Sequence, residues 1–229
     1  MPKQIIRLED TVDIHDGIEN IELCIITNKY GKFLSYNLSS FNDGYECLSY
    51  QVDITKLIES KDYDVFVDIG AYIGFFSVIA SNFCKKVITY EANPWFFGLT
   101  LDNMKFLPNV ECRYCWVSNN GDIPIIGTSF QMVGNTTDPN YKKYNVPVVT
   151  IDDELIPLKD EKMLIKMDIE GSEEKALQGA SEIIKQSNIH WFIDVHEPNI
   201  KVENIMNFFQ DREIIRIADT LTIKGKKGD

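Results

Sequence analysis

Short apolar runs alternate with helically spaced apolar positions from about residue 60 to the end of the chain. Five runs of strand length, rich in β-branched and aromatic residues, span 65–67, 87–90, 110–117, 163–168 and 190–196. Apolar residues repeat at helical spacing in the segments between them. Strands that alternate with helices predict an α/β fold with a Rossmann-like, doubly wound, mostly parallel sheet covered on both faces. Residues 213–217 and 221–224 predict a closing pair of strands around a turn.

Two of the predicted helices have apolar faces that can be named. Pro94 suits the first turn of a helix, and the expected buried face of that helix contains Trp95, Phe96, Leu99 and Phe106. After the fourth strand, a single helix is predicted to bury Ala176, Ala180, Ile183 and Ile184.

The first 60 residues precede this alternating region and predict a small cap. Residues 21–26 and 32–38 are β-rich and flank an Asn-Lys-Tyr-Gly sequence, which predicts a hairpin. A helical pattern follows, with Tyr50, Ile54, Leu57 and Ile58 on one face. We expect residues 1–60 to cap one end of the sheet and residues 61–229 to form the ligand-binding domain, both within one structural unit.

The segment 124–147 lacks clear periodicity and is rich in Gly, Asn, Thr, Pro and Tyr. So long an irregular stretch inside a compact domain is usually functional or mobile. We interpret it as an irregular loop on the substrate side.

The formal net charge of -12 argues against a protein that tracks nucleic-acid phosphates, although a local basic patch would escape this argument. No signal-peptide pattern is present at the N-terminus, and the apolar runs are too short to span a bilayer. A cytoplasmic location is therefore expected. The five cysteines are read as reduced thiols. Cys112 and Cys115 form a C-x-x-C, but in a strand they point to opposite faces, which disfavours zinc.

Residues 64–91 have the pattern of a nucleoside-binding unit: a strand, a glycine turn, a helix, a second strand and an acid. Gly70 allows the chain to turn with positive φ, and Gly74 is expected to let the helix start pack closely against the strand. The helix N-terminus offers unpaired N–H groups to a polar ligand. Glu91 ends the second strand, where a carboxylate can accept hydrogen bonds from both ribose hydroxyls.

The glycine spacing favours one nucleoside over another. A dinucleotide site needs G-x-G-x-x-G, whereas this chain has D-x-G-x-x-x-G, with Asp68 at the strand end. That aspartate would repel a phosphate but can receive an ammonium group, directly or through water. S-adenosylmethionine, which carries a cation and no phosphate, is therefore favoured over NAD. The alternative is that Asp68 only caps a helix and Gly70 only makes a turn.

Charged residues gather at the carboxyl ends of the fourth and fifth strands. In a doubly wound sheet these ends lie beside the first strand, where ligands bind. Candidate catalytic residues are Lys166, Asp168, Glu170 and His196. Either they perform acid–base chemistry, with Asp194 orienting His196, or they form an ion network that orients the strand end. The set Asp168, Glu170 and His196 also has metal-binding chemistry, but the pattern does not distinguish a metal site from an acid–base cluster, and no metal is predicted.

Three motifs of this sequence together resemble the FkbM family of S-adenosylmethionine-dependent methyltransferases. They are V-D-I-G-A-Y-I-G at 67–74, Y-E-A-N-P at 90–94 and L-I-K-M-D-I-E-G-S-E at 164–173. The segments 149–152 and 176–180 add to the similarity, which covers roughly residues 45–197. The resemblance implies a class I methyltransferase fold and O-methylation, often of sugars or polyketide-type hydroxyls.

The resemblance also implies which residues hold the cofactor. The strand-end and turn residues match most directly, Val117 and Ser118 would face the adenine, and Glu46 would touch cofactor or substrate. The complete predicted cofactor set is Glu46, Asp68, Gly70, Ala71, Tyr72, Gly74, Glu91, Ala92, Asn93, Val117, Ser118 and Asp168. The expected partner is a small or glycosyl hydroxyl acceptor. The alternatives are methylation of RNA or protein, or an inactive S-adenosylmethionine-binding protein.

Overall fold

The computed structural model describes residues 4–6, 22–37, 52–120, 124–128, 131–134, 142–143, 146–196 and 200–226. Strands β1 (Gln4–Ile6), β2 (Glu22–Asn28) and β3 (Gly31–Asn37) form an antiparallel sheet. The hairpin of β2 and β3 agrees with the predicted one. Helix α1 (Val52–Glu59) follows and buries Ile54 and Ile58, as its spacing predicts. Tyr50 lies outside the described residues.

The remaining chain builds the α/β unit, and its elements follow in chain order. The strands are β4 (Val65–Ile69), β5 (Lys86–Glu91), β6 (Val110–Tyr114), β7 (Trp116–Val117), β8 (Pro124–Thr128), β9 (Gln131–Gly134), β10 (Lys142–Lys143), β11 (Val148–Val149), β12 (Met163–Met167), β13 (Ile189–Asp194), β14 (Arg212–Ile217) and β15 (Thr220–Lys226). The helices are α2 (Phe75–Ala80), α3 (Pro94–Met104), α4 (Ile151–Leu155), α5 (Glu173–Gln178) and α6 (Val202–Met206). Single 3-10 turns span Ile156–Leu158, Ile183–Lys185 and Asn207–Phe209.

The central sheet has seven strands in the order β14-β15-β13-β12-β4-β5-β6. Strands β13, β12, β4, β5 and β6 are parallel, whereas β15 is antiparallel to both β13 and β14. Within this sheet the chain enters at the central strand β4 and continues outward through β5 to β6. It then returns to β12, on the other side of β4. This order confirms the doubly wound, mostly parallel sheet, and the point of reversal lies between β4 and β12.

Both faces of the sheet are buried, because successive side chains of each parallel strand enter different cores. Val65, Val67 and Ile69 of β4 pack with α4, α5 and α6, while Phe66 packs with α2. Phe33 of the N-terminal hairpin enters the second core and lies 4.9 Å from the Phe75 ring. Among the described residues, no helix has the length and apolar composition that crossing a bilayer requires.

Several predicted elements differ from the observed ones. The third predicted strand is broken at Cys115, because β7 leaves the central sheet and pairs with β11 instead. The helix predicted across 176–184 ends at Gln178, and Ile183 begins a separate 3-10 turn. Gly179 interrupts the predicted helix because it packs directly against the backbone after β7. A Cβ added to Gly179 would lie 2.5 Å from the Ser118 carbonyl oxygen. Both contacts join residues far apart in the chain, so the local sequence pattern does not predict them.

The segment 124–147 was expected to be an irregular loop, but it contains regular structure. Its described parts contain β8, β9 and β10, which form a small antiparallel sheet. The sequences of these strands, P-I-I-G-T, Q-M-V-G and K-K, do not alternate between apolar and polar residues, so hydrophobic periodicity does not predict them.

Phe106, predicted to be buried, is 86% exposed, because α3 ends at Met104 and Phe106 lies beyond it. Phe96 and Leu99 are buried as predicted, and the side chain of Trp95 lies outside the described part of the structure. Cys112 and Cys115 pack toward different cores, as expected of residues on opposite faces of a strand.

Candidate active site

The turn after β4 requires a glycine at position 70. Gly70 has a φ of 79°, and a Cβ there would lie 1.9 Å from the carbonyl oxygen of Asp168 at the end of β12. The amides of Gly70 and Ala71 both donate to the Tyr90 carbonyl oxygen, at 3.0 and 3.1 Å. The turn is therefore held between β5 and β12, and the predicted positive φ is confirmed.

Gly74 has a different neighbour from the one that the sequence indicated. Its φ is 78°, but an added Cβ would lie 2.0 Å from Met104 Cε and 3.3 Å from Thr100 Cγ2, both on α3. The close approach is thus between α2 and α3, not between α2 and the strand. Thr100 Oγ1 also donates to the Tyr72 carbonyl oxygen at 2.6 Å, and the Tyr72 ring contacts the Phe96 ring.

Glu91 is held in place by two backbone amides. Its side chain is buried, and each carboxylate oxygen accepts one hydrogen bond of 2.7 Å, from the amides of Tyr72 and Asn93. Burial raises the pKa of Glu91 to about 7, although both amides oppose that rise. Each oxygen keeps a second lone pair, so the carboxylate can accept from a ribose diol while its orientation stays fixed.

Asp68 and Lys166 form a buried ion pair beneath the turn. Lys166 Nζ lies 3.3 Å from Asp68 Oδ1 and donates to the Gly70 carbonyl oxygen at 2.7 Å. Ser77 Oγ donates to the other oxygen of Asp68 at 2.7 Å, and Thr89 in turn donates to Ser77. Burial raises the pKa of Asp68, and Lys166 counteracts this rise. The ammonium group that Asp68 receives here is that of Lys166, and the predicted contact of Asp68 with a cofactor stays a prediction.

Asp168 connects this buried pair to the open end of the sheet. Its carboxylate lies 3.6 Å from Lys166 Nζ on one side and 3.6 Å from His196 Nε2 on the other. Glu170 does not join Lys166; its carboxylate lies 3.6 Å from the same nitrogen of His196. The structure therefore brings all four candidate catalytic residues into one cluster, with Lys166 buried and the other three partly accessible.

Of the carboxylates in the described part of the chain, the one that contacts His196 most closely was not in the predicted catalytic set. Glu173, the first residue of α5, is fully buried, and its Oε1 lies 3.1 Å from His196 Nδ1. Asp194, which was expected to orient His196, has a carboxylate oxygen within 4.8 Å of a ring nitrogen, so that expectation stays a prediction, and the hydrogen bond to Nδ1 comes from Glu173. His196 follows the end of β13, where strand alternation no longer fixes its direction. The signal for Glu173 was present as the last residue of the 164–173 motif.

Three side chains of this cluster are close enough to share a cation. One ligand atom each from Asp168, Asp194 and His196 lie within 4.8 Å of one another. Asp194 therefore takes the place of Glu170 in the set that the sequence left open. Such a spacing suits a divalent cation, but acid–base clusters have the same geometry.

The other predicted cofactor residues have varied surroundings. Asn93 is buried next to Glu91, and Ala92 packs against Trp116 and its neighbours. Val117 and Ser118 are buried at the end of β7, where the Ser118 amide donates to Val149 at 2.9 Å. Their contacts with a cofactor stay predictions, and Glu46 lies outside the described residues.

The comparison with protein families gives a match over most of this unit. Residues 68–217 match the family described as the methyltransferase FkbM domain. That range begins at the strand-end acid of β4 and ends with β14, so it contains the turn, Glu91 and the complete cluster around His196. No curated protein matches the chain.

Solved structures with similar folds include several methyltransferases. The FkbM methyltransferase of Methylobacillus flagellatus KT is 21% identical with a TM-score of 0.49, over 71% of this chain and 44% of that one. An O-methyltransferase from Bacillus cereus, solved with SAH, is 12% identical with a TM-score of 0.45, over 76% and 79%. The Methanococcus jannaschii fibrillarin pre-rRNA processing protein is 10% identical with a TM-score of 0.48, over 99% and 98%. Because these TM-scores are low, the family of this chain is assigned from the match over residues 68–217. The chain spans less than half the length of the Methylobacillus protein.

Proposed function

Because this chain belongs to the FkbM family of methyltransferases and its methyl donor is S-adenosylmethionine, we propose that it methylates a hydroxyl oxygen of a small or glycosyl acceptor. The observation that carries this proposal is the position of His196. Its Nε2 lies at the carboxyl end of the sheet beside Asp168 and Glu170, and its side chain is 27% exposed. A hydroxyl acceptor needs such a base, because its proton must leave as the new bond forms.

The residues around the turn after β4 fit the donor. S-adenosylmethionine supplies a methyl group on a positively charged sulfur, which becomes a neutral thioether when the methyl group is transferred. Glu91 would accept hydrogen bonds from the ribose hydroxyls, because both of its oxygens are oriented and partly unsatisfied. The carboxylates of Asp168, Glu170 and Asp194 would favour a cationic group next to them.

The protein contributes two things to this reaction: it aligns the acceptor hydroxyl with the methyl group, and it provides a proton acceptor. The acceptor oxygen forms a bond to the methyl carbon as the carbon–sulfur bond breaks, and the hydroxyl proton passes to His196 Nε2. Holding the acceptor in line with the methyl group supplies much of the rate in such a reaction. Asp168 and Glu170, each 3.6 Å from Nε2, then stabilise the imidazolium that results.

The charge of the cluster restricts the acceptor. Within the described ranges, four carboxylates lie around His196, those of Asp168, Glu170, Glu173 and Asp194. Lys166 is already engaged by Asp68 and Gly70. A phosphate next to the reacting hydroxyl would be repelled by this excess of negative charge. This supports an uncharged, sugar-like acceptor over an RNA strand.

The first experiment tests donor binding by thermal unfolding with S-adenosylmethionine, S-adenosylhomocysteine or NAD. Stabilisation by the first two is expected, because ligands that bind only the folded state raise its stability. Stabilisation by NAD alone would contradict the donor assignment.

The second experiment screens hydroxylated acceptors with methyl-labelled S-adenosylmethionine and identifies the labelled atom by NMR. An O-methyl ether that requires His196 supports the proposal, with His196→Gln as the test variant and His190→Gln as its control. His190 lies near the start of β13, is hydrogen-bonded to Tyr63, and is not part of the cluster around His196. Label found only on nitrogen or carbon, or no transfer by a protein that binds the donor, would contradict it.

A further inference from the structure

We propose that Glu173 is a positioning residue for His196, which it holds by Nδ1 so that Nε2 faces the acceptor hydroxyl. This inference rests on the proposed function, in which His196 Nε2 takes the proton of the acceptor. Glu173 was not among the candidate catalytic residues, and it does not itself contact the reacting atoms.

The hydrogen bond between the two side chains fixes the tautomer of the histidine. Glu173 Oε1 lies 3.1 Å from Nδ1, and a carboxylate can only accept, so Nδ1 carries the proton. In the neutral ring this leaves the lone pair on Nε2, the nitrogen that lies beside Asp168 and Glu170. The same division of roles between the two nitrogens operates wherever a buried acid orients a histidine base.

Glu173 is itself held rigidly. Its side chain is fully buried, and the same oxygen accepts from the amides of Ile169 and Gly171 at 3.2 Å. These amides belong to the turn after β12, in which Glu170 has a positive φ of 54°. One carboxylate oxygen therefore joins the turn that carries Glu170 to the ring of His196. A residue so constrained can fix a ring direction at little further entropic cost.

Among the residues that the structure describes, Glu173 is the acid closest to the ring. Asp168 and Glu170, on the segment after β12, lie beyond hydrogen-bond distance at 3.6 Å, and Asp194 of β13 contributes a carboxylate nearby. The hydrogen bond from Glu173 is the largest cause that raises the pKa of His196 to about 9, and burial opposes it. When His196 accepts the proton, the imidazolium therefore forms next to a charge that is already in place.

The test compares Glu173→Gln with the neighbouring Glu174→Gln. Glutamine keeps a carbonyl oxygen for the Ile169 and Gly171 amides but lacks the negative charge, so it separates charge from scaffolding. Glu174 contacts Asn204 at 3.0 Å and provides the matched control. Two quantities are measured: the titration of the His196 ring by ¹⁵N NMR, and the pH profile of methyl transfer to the acceptor found by screening. The chain has three histidines, so His196→Gln assigns the signal.

We expect Glu173→Gln to lower the pKa of His196 by about one unit or more. The rising limb of the pH–rate profile should move to lower pH by the same amount. At high pH kcat should fall about tenfold, because a weaker base transfers the proton less efficiently, while KM for the acceptor stays within about twofold. Adding Glu173→Gln to His196→Gln should cost nothing further, because Glu173 acts through that ring. Glu174→Gln should change none of these values.

An unchanged His196 titration in Glu173→Gln overturns the inference, and so does a pH–rate profile that does not move with the titration. An additive loss in the double variant would show that Glu173 serves only the scaffold. If Glu173→Gln does not fold, Glu173→Asp serves instead: its shorter side chain draws the carboxylate away from Nδ1, so the pKa of His196 and kcat should both fall, and a variant in which neither changes would overturn the inference. A wild-type protein that transfers no methyl group would overturn the proposed function and this role together, whereas the NMR result alone would overturn only the role.

Discussion

The ammonium group of Lys166 donates a hydrogen bond of 2.7 Å to the carbonyl oxygen of Gly70, 96 residues earlier in the chain. The same group pairs with Asp68 at 3.3 Å. One buried cation therefore satisfies both the strand-end acid of β4 and the turn that follows it. The alternative in which Lys166 orients the strand end is the one this geometry supports, since its ammonium lies beneath the turn.

Replacing Lys166 by methionine should destabilise the protein strongly. Asp68 would keep its burial but lose its counter-charge, and breaking a buried pair in this way costs about 3–5 kcal/mol. Urea unfolding measures the loss. Because burial already raises the pKa of Asp68, the loss should be smaller at pH 5 than at pH 8, where the unpaired carboxylate would be charged.

The matched control is Lys86→Met on the neighbouring strand β5. Lys86 pairs with Glu111 at 2.8 Å, but both side chains are more than a third exposed. A loss below about 1 kcal/mol is expected for such a pair. Equal losses for the two lysine variants would contradict the structural role given to Lys166.

Glu91 should make cofactor binding depend on pH. Its folded pKa of about 7 lies above the ordinary 4.5, so between these values the folded carboxyl holds a proton that the unfolded chain has lost. Its contribution to the stability of the free protein therefore decreases as pH rises through this window. Ribose hydroxyls donate to the ionised form, so affinity should increase over the same range.

The measurement uses 5′-methylthioadenosine, which has the ribose but no titrating amino acid group. A Kd about tenfold lower at pH 8 than at pH 6 is expected from a single group with this pKa. Glu91→Gln should weaken binding and remove the pH dependence. Glu111→Gln, on the adjacent strand, should bind with the wild-type affinity and the wild-type pH dependence. A pH-independent Kd in the wild-type protein would refute the predicted role of Glu91.

The glycines at 70 and 74 should differ when each is replaced by alanine. Both have positive φ, which costs about 1–2 kcal/mol for a side chain. Only at Gly70 does the new Cβ meet backbone, the Asp168 carbonyl; at Gly74 it meets the flexible end of Met104. Gly70→Ala should therefore lose cofactor binding and more stability, while Gly74→Ala keeps binding.

Gly98→Ala is the control for this pair, measured by thermal unfolding and cofactor titration. Nothing lies within 4 Å of an added Cβ at this position in α3. A helix gains up to about 1 kcal/mol from this exchange. If Gly70→Ala bound the cofactor as well as Gly98→Ala does, the tight turn would not form part of the site.

Truncation should have a large effect at Phe96, within α3, and almost none at Phe106, just beyond the end of that helix. Phe96 is 4% exposed and packs against Tyr72, so Phe96→Ala should cost about 3–5 kcal/mol. Phe106 is 86% exposed, so Phe106→Ser should change the free energy of unfolding by less than about 0.5 kcal/mol. A large loss in Phe106→Ser would mean that this surface is covered in solution.

The sequence by itself determined the elements whose information is local. Apolar runs predicted five strands that the structure confirms in the central sheet, and the spacing of Asp68, Gly70 and Glu91 predicted a strand–turn–helix–strand unit. These features depend on backbone conformation and burial within a few residues, which periodicity and glycine positions record directly.

Tertiary structure decided the pairings between distant residues. Which acid holds His196, which helix Gly74 meets, and which strand β7 joins all depend on register and side-chain reach across the fold. Asp194 was the nearer candidate along the chain, but Glu173 is fully buried and its carboxylate lies 3.1 Å from Nδ1. Such contacts have no local signature in the sequence, since either acid would satisfy the same pattern.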